Sequence, residues 1–182
     1  MGKRKAIEIA FVGLKPGIHE FVYEVEDIFF AESETRDFAN CTATVKLQLD
    51  KKSSFILLKF EVGGIADVSC DRCGNPLTKN LWDDFNVLVK MVDNPEEMNQ
   101  QEEDPDVFYI SKTESHLYLN EWIYEFVSLS VPTQKLCTEE EFGGPLCNKE
   151  VLGKLREMEV NEDADNANAI WKALEKFKNE KK

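Results

Sequence analysis

The hook Cys70-Asp71-Arg72-Cys73-Gly74 and, far downstream, Cys137 and Cys147 demand a fold that brings two distant stretches of chain together. Two cysteines separated by two residues and followed by glycine form a tight turn that aims both sulfurs at one point, the knuckle of a thiolate metal site. Gly74 suits the position after the second ligand, where a positive φ would clash with any side chain. The spacing predicts a structural zinc ion held by Cys70, Cys73, Cys137 and Cys147, a clip between two segments rather than a compact finger. Four thiolates leave no coordination position for water, so such a site does not catalyse. A redox pair needs its first cysteine at a helix N-terminus, whereas this motif runs into Gly-Asn-Pro. Cys41 lies inside an alternating strand and reads as core packing.

The first half of the chain alternates polar and apolar residues at period two, the pattern of strands with one buried face. Strands are predicted over 6–12, 18–25, 41–49, 55–62, 65–69 and 81–92, with Gly63-Gly64 interrupting the fourth and fifth and the knuckle in a hairpin-like turn before the last. In the second half the period lengthens. Leu119, Trp122, Ile123, Phe126, Val127 and Ser130 recur at helical spacing until Pro132. Shorter helices are predicted over 149–158 and 167–177. Strands first and helices afterwards is an α+β order: an N-terminal antiparallel curved sheet or small barrel, then an amphipathic helix and C-terminal helices, clipped by zinc. With 182 residues the chain reads as a single domain, 1–182, able to bury its own core. Within it, 1–92 is the strand-rich part with the CxxC, 93–107 an acidic mobile loop, 108–160 the helix with the second cysteine pair, and 161–182 a polar linker and terminal helix.

The formal net charge of −13 bears on partners, since nucleic-acid affinity rests on Lys and Arg displacing counterions from phosphates. Any RNA contact has to be local, through Lys3, Arg4, Lys5, Arg72 or the C-terminal lysines. Trp122 is expected in the core, while Arg72, Trp171 and Phe177 are candidate partner contacts, the last two on a terminal helix able to fold on binding. His19 and His116 read as surface or packing residues, His116 being the spare ligand should one thiol fail. Neither a P-loop, a GxGxxG, a GxSxG nor a zinc-deaminase signature is present, so no small-molecule substrate is expected. No secretory leader, lipid signal or apolar stretch of about 20 residues is evident. The expectation is a soluble cytoplasmic protein with reduced thiols and no membrane contact.

Val68-Ser69-Cys70-Asp71-Arg72-Cys73, then Leu119-Asn120-Glu121-Trp122-Ile123-Tyr124-Glu125-Phe126 running into Leu129-Ser130-Val131-Pro132, and finally Ala169-Ile170-Trp171-Lys172-Ala173-Leu174, together resemble the YceD family, the bacterial large ribosomal RNA subunit accumulation proteins. The likeness extends from about Phe11 to the terminal helix. Many members carry a second knuckle, Gly-Leu-Cys-x-x-Cys-Gly. Here Gly144-Pro145-Leu146-Cys147 keeps its first half, Glu150 stands where the second cysteine would be, and Cys137 must supply the fourth ligand. The resemblance implies a role in large-subunit ribosomal RNA accumulation and ribosome biogenesis, and supplies no catalytic residue. The acidic balance favours a ribosome-assembly protein or ribosomal protein as partner over naked RNA. The rivals are an RNA-binding module contacting precursor ribosomal RNA directly and a purely structural zinc-clipped interaction domain; a zinc enzyme would need an open coordination position.

Overall fold

The computed structural model describes residues 6–31, 36–137, 144 and 146–160. What reads as one domain in sequence separates into two compact units. Of the described residues, 6–31, 36–69 and 76–135 form the first, and 70–75, 136–137, 144 and 146–160 the second.

The strands are β1 (Glu8–Ile9), β2 (Gly17–Glu26), β3 (Phe38–Lys51), β4 (Phe55–Ser69), β5 (Pro76–Val92), β6 (Val107–Ser111) and β7 (Leu117–Tyr118). The helices are α1 (Pro95–Gln101), α2 (Asn120–Leu129) and α3 (Lys149–Val160). Five strands of the first unit make one open sheet in the order β2-β3-β4-β5-β6, antiparallel except for the parallel pair β5 and β6. β2 and β6 are its free ends, so the sheet does not close into a barrel. The mixed α+β class stands as expected.

Alternation explains why these strands form. In β3, Cys41, Ala43, Val45, Leu47 and Leu49 are buried, while Thr42, Lys46 and Gln48 face outward. Their partners in β4, among them Leu58, Phe60 and Val62, are buried on the same face. Each large side chain sealed this way contributes about 1.5–3 kcal/mol. α2 closes that face with Ile123, Phe126 and Val127: the Phe126 ring stacks on Phe85 at 4.4 Å and meets Phe60 edge-on at 5.0 Å. Trp122 packs against the same core, as its helical spacing predicts. The start of α2 is fastened to the N-terminal segment, since Ile7 N–H donates to Asn120 Oδ1 and Leu119 N–H to the Ile7 carbonyl.

Several boundaries differ from the sequence reading. The strand expected over 6–12 is only Glu8–Ile9, because Phe11–Gly13 turns into a 3-10 helix whose carbonyls are gathered by the Lys51 ammonium, at 2.8 Å from both Phe11 and Leu14. The expected break at Gly63-Gly64 is absent and β4 runs straight through. There β3 and β4 approach so closely that a Cβ on Gly64 would lie 2.3 Å from the Thr42 carbonyl oxygen, beside a register shift between Ala39 and Thr42 with Asn40 at φ 48°. The acidic segment 93–107, expected as a loop, carries α1. Its anchors are polar: the Asn99 side chain accepts from Tyr109 N–H at 2.8 Å and donates to the Tyr109 carbonyl at 2.9 Å, and the Tyr109 hydroxyl donates to Glu102. Asn99 thereby covers an edge strand that would otherwise offer unpaired backbone groups. The helix expected over 167–177 lies outside the described residues.

Candidate metal centre

Four cysteines fall in the second unit, from two stretches of chain. The first stretch is the six-residue connection between β4 and β5, and its backbone closes on itself: Gly74 N–H donates to the Cys70 carbonyl and Cys70 N–H to the Asn75 carbonyl, both at 2.8 Å. Gly74 has φ 73°, the left-handed conformation the motif requires. The turn buries Cys70 and Cys73.

The second stretch arrives as Cys137 and, past the Gly144 turn, Cys147. Cys147 N–H donates to the Gly144 carbonyl at 3.1 Å, and the Leu146 carbonyl accepts from the Asn75 side chain at 2.8 Å. Asn148 then caps α3, its Oδ1 accepting from the N–H groups of Glu150 and Val151. That cap explains the departure at Glu150. A helix starts where a second knuckle would turn, and Glu150 lies on its exposed side, paired with Lys154 at 3.0 Å.

The thiols of Cys70, Cys73 and Cys137 lie within 4.8 Å of one another, a cluster able to hold a metal ion. Cys73 Sγ and Cys137 Sγ are 3.5 Å apart, far longer than a disulfide and close to the roughly 3.8 Å edge of a tetrahedron with Zn–S bonds of about 2.3 Å. All five cysteines are free thiols. Cys147 is buried in the same unit but is not one of the three thiols that come within 4.8 Å of one another.

The electrostatics of the cluster suit a cation. Backbone N–H groups of Asn148 and then Asn75 point at the Cys73 sulfur and, with smaller help from the thiols of Cys137 and Cys70, lower it to about 6 against the opposing effect of burial. Cys137 is pushed up to about 12, first by burial and then by the thiols of Cys70, Cys73 and Cys147. One thiolate is welcome and a second is not, unless a positive ion joins them. The N–H groups on Cys73 are the outer-shell donors typical of such sites, and sulfur-only ligation selects soft metals. The three clustered thiols fit a soft metal ion.

Other sequence candidates fall elsewhere. Cys41 is sealed in the core of the first unit, its thiol raised to about 11 by burial and then by the Asp27 carboxylate. His116 is not in the cluster: its Nδ1 is 2.7 Å from Ser115 Oγ. His19 is half-buried, with Nε2 at 2.8 Å from the Lys15 carbonyl. Arg72 is half-buried, and Trp171 and Phe177 lie outside the described residues.

A family model described as large ribosomal RNA subunit accumulation protein YceD matches residues 58–178, a span that contains the clustered Cys70, Cys73 and Cys137, Cys147 and α2. The chain belongs to the YceD family. The family's description ties it to accumulation of the large ribosomal RNA. Neither the search of curated proteins nor that of solved structures found a match. No helix among the described residues is long and apolar enough to cross a membrane.

Sequence reasoning passed over the aromatic surface of the first unit. Trp82 is 81% exposed on the open face of the sheet, opposite Gly63. The signal was its parity in β5, since Leu81, Val87 and Val89 are the buried positions. Tyr118, at 63% exposed, sits in a two-residue strand too short to show a period.

Proposed function

We propose that this protein is a non-enzymatic cytoplasmic factor that supports large-subunit ribosomal RNA accumulation through a protein partner, its second unit held by one zinc ion on Cys70, Cys73, Cys137 and Cys147. The family match carries the biological role. The thiol cluster supports the structural part: sulfur-only ligation fills a tetrahedral site and leaves no place for substrate or water. The net charge of −13 supports a basic protein as partner, because this many carboxylates repel a phosphate backbone.

Depleting the protein from its cells should lower the ratio of large-subunit to small-subunit ribosomal RNA, and the tagged protein should sediment with large-subunit precursor particles. An unchanged ratio with no co-sedimentation would refute the role. Tight binding of purified protein to ribosomal RNA alone, abolished by charge reversal at Lys3, Arg4 and Lys5, would replace the partner reading with an RNA-binding module.

A further inference from the structure

Within the first unit a cleft of about 800 Å³ lies among residues of α1, β6, β7 and α2, a volume in the range of ligand and peptide sites. Aromatic rings supply its apolar wall. Phe108 is 40% exposed and meets Trp122 edge-on at 5.4 Å, and Tyr118 stands largely uncovered beside them. Glu96, Glu114, Glu121 and Glu125 also line it, and no Lys or Arg does. Among the described residues none of these four carboxylates takes part in an ion pair. Nor do they converge as a chelate: the one group able to hold a metal ion among the described residues is the cysteine cluster. Negative charge spread around exposed aromatic faces matches several cations carried on one chain, because guanidinium and ammonium groups gain both from the carboxylates and from ring quadrupoles. A phosphate backbone would meet net repulsion from these four carboxylates.

We infer that this cleft docks an arginine- and lysine-rich segment of a protein partner. The inference rests on the proposed partner-mediated function and locates the surface that would serve it. A second copy of the chain is a poor occupant on charge grounds, since each carries −13. The outward side of α2 would carry the electrostatic share through Glu121 and Glu125, both exposed, and Tyr118 the stacking share.

The test is fluorescence anisotropy of a labelled alternating arginine–glycine decapeptide titrated with the full chain, against a glutamate–glycine peptide and a single-stranded RNA. The arginine peptide should bind and the glutamate peptide should not. Glu121→Lys with Glu125→Lys should weaken binding on the order of tenfold, whereas Asp83→Lys with Asp84→Lys, the same charge change at exposed positions of β5, should weaken it less than about threefold. Tyr118→Ala should weaken it about fivefold, and Glu121→Gln with Glu125→Gln should fall between wild type and the lysine pair. Equal losses for the two lysine pairs, absence of binding, or RNA binding that Tyr118→Ala weakens would each overturn the proposal. Sedimentation separates this failure from that of the proposed function: a chain that fails to bind the peptide yet still travels with precursor particles refutes the cleft alone.

Discussion

Two adjacent glycines in β4 should respond in opposite ways to the same added methyl group. A Cβ on Gly64 would lie 2.3 Å from the Thr42 carbonyl oxygen, 2.7 Å from Ala43 Cα and 3.1 Å from Ala43 Cβ. The first two are backbone atoms, so no rotamer change relieves them. β3 and β4 must separate by about 1 Å to restore van der Waals contact, at a pairing, Ala43 with Gly64, in the middle of the sheet. Separation would weaken one or two ladder hydrogen bonds, at about 0.5–1.5 kcal/mol each, and loosen packing around Cys41, Val62 and Ala66. Overpacking of this kind costs about 1–3 kcal/mol, so Gly64→Ala should lose roughly 2–4 kcal/mol in all. Gly63 has nothing within 4 Å of its Cβ position, and replacing a strand glycine by alanine there should gain up to about 0.5–1 kcal/mol. At about 2–4 °C per kcal/mol for a chain of this size, thermal unfolding followed by circular dichroism should show Gly64→Ala melting roughly 5–15 °C lower and Gly63→Ala unchanged or slightly higher. A Gly64→Ala protein as stable as wild type, or equal losses at both positions, would refute the close approach of β3 and β4.

Protein expressed without chelator should contain one zinc per chain by elemental analysis; Cys73→Ser should lose it and Cys41→Ser retain it. Asn99→Ala removes both hydrogen bonds to Tyr109 and should cost about 1–3 kcal/mol in urea denaturation; a loss below a few tenths would mean the acidic segment is not secured by that amide. The Arg36 guanidinium, hydrogen-bonded to both Asp27 carboxylate oxygens at 2.9 and 3.0 Å, is the main cause holding that carboxyl below its usual range, with burial opposing it. A lowered folded pKa means stability present above the unfolded value near 3.9 and lost as pH falls through the folded one. Arg36→Met should therefore be less stable than wild type at pH 7, by about 0.5–1 kcal/mol for so exposed a pair, and the gap should narrow below about pH 4; a gap independent of pH would assign the loss to packing against Phe38.

Local periodicity determined a large share of this fold. β2, β3, β5 and α2 follow from alternation and helical spacing that any solvent-facing element must obey, and the left-handed Gly74 follows from the CxxC turn. Sequence alone also pointed to the four cysteines, of which the structure brings Cys70, Cys73 and Cys137 together. What needed the tertiary structure was every feature resting on a pairing between distant residues. α1 and β6 are secured by the Asn99 amide and the Tyr109 backbone, and polar contacts leave no hydrophobic period. The uninterrupted β4 depends on how near β3 lies, which no reading of Gly63-Gly64 alone can measure. Glu150 already lay in a helix expected from sequence, and only the fold shows that Asn148, whose side chain caps that helix, also turns its backbone N–H toward the Cys73 sulfur. The aromatic cleft is assembled from four elements, each ordinary by itself, and only their convergence sets carboxylates around exposed rings.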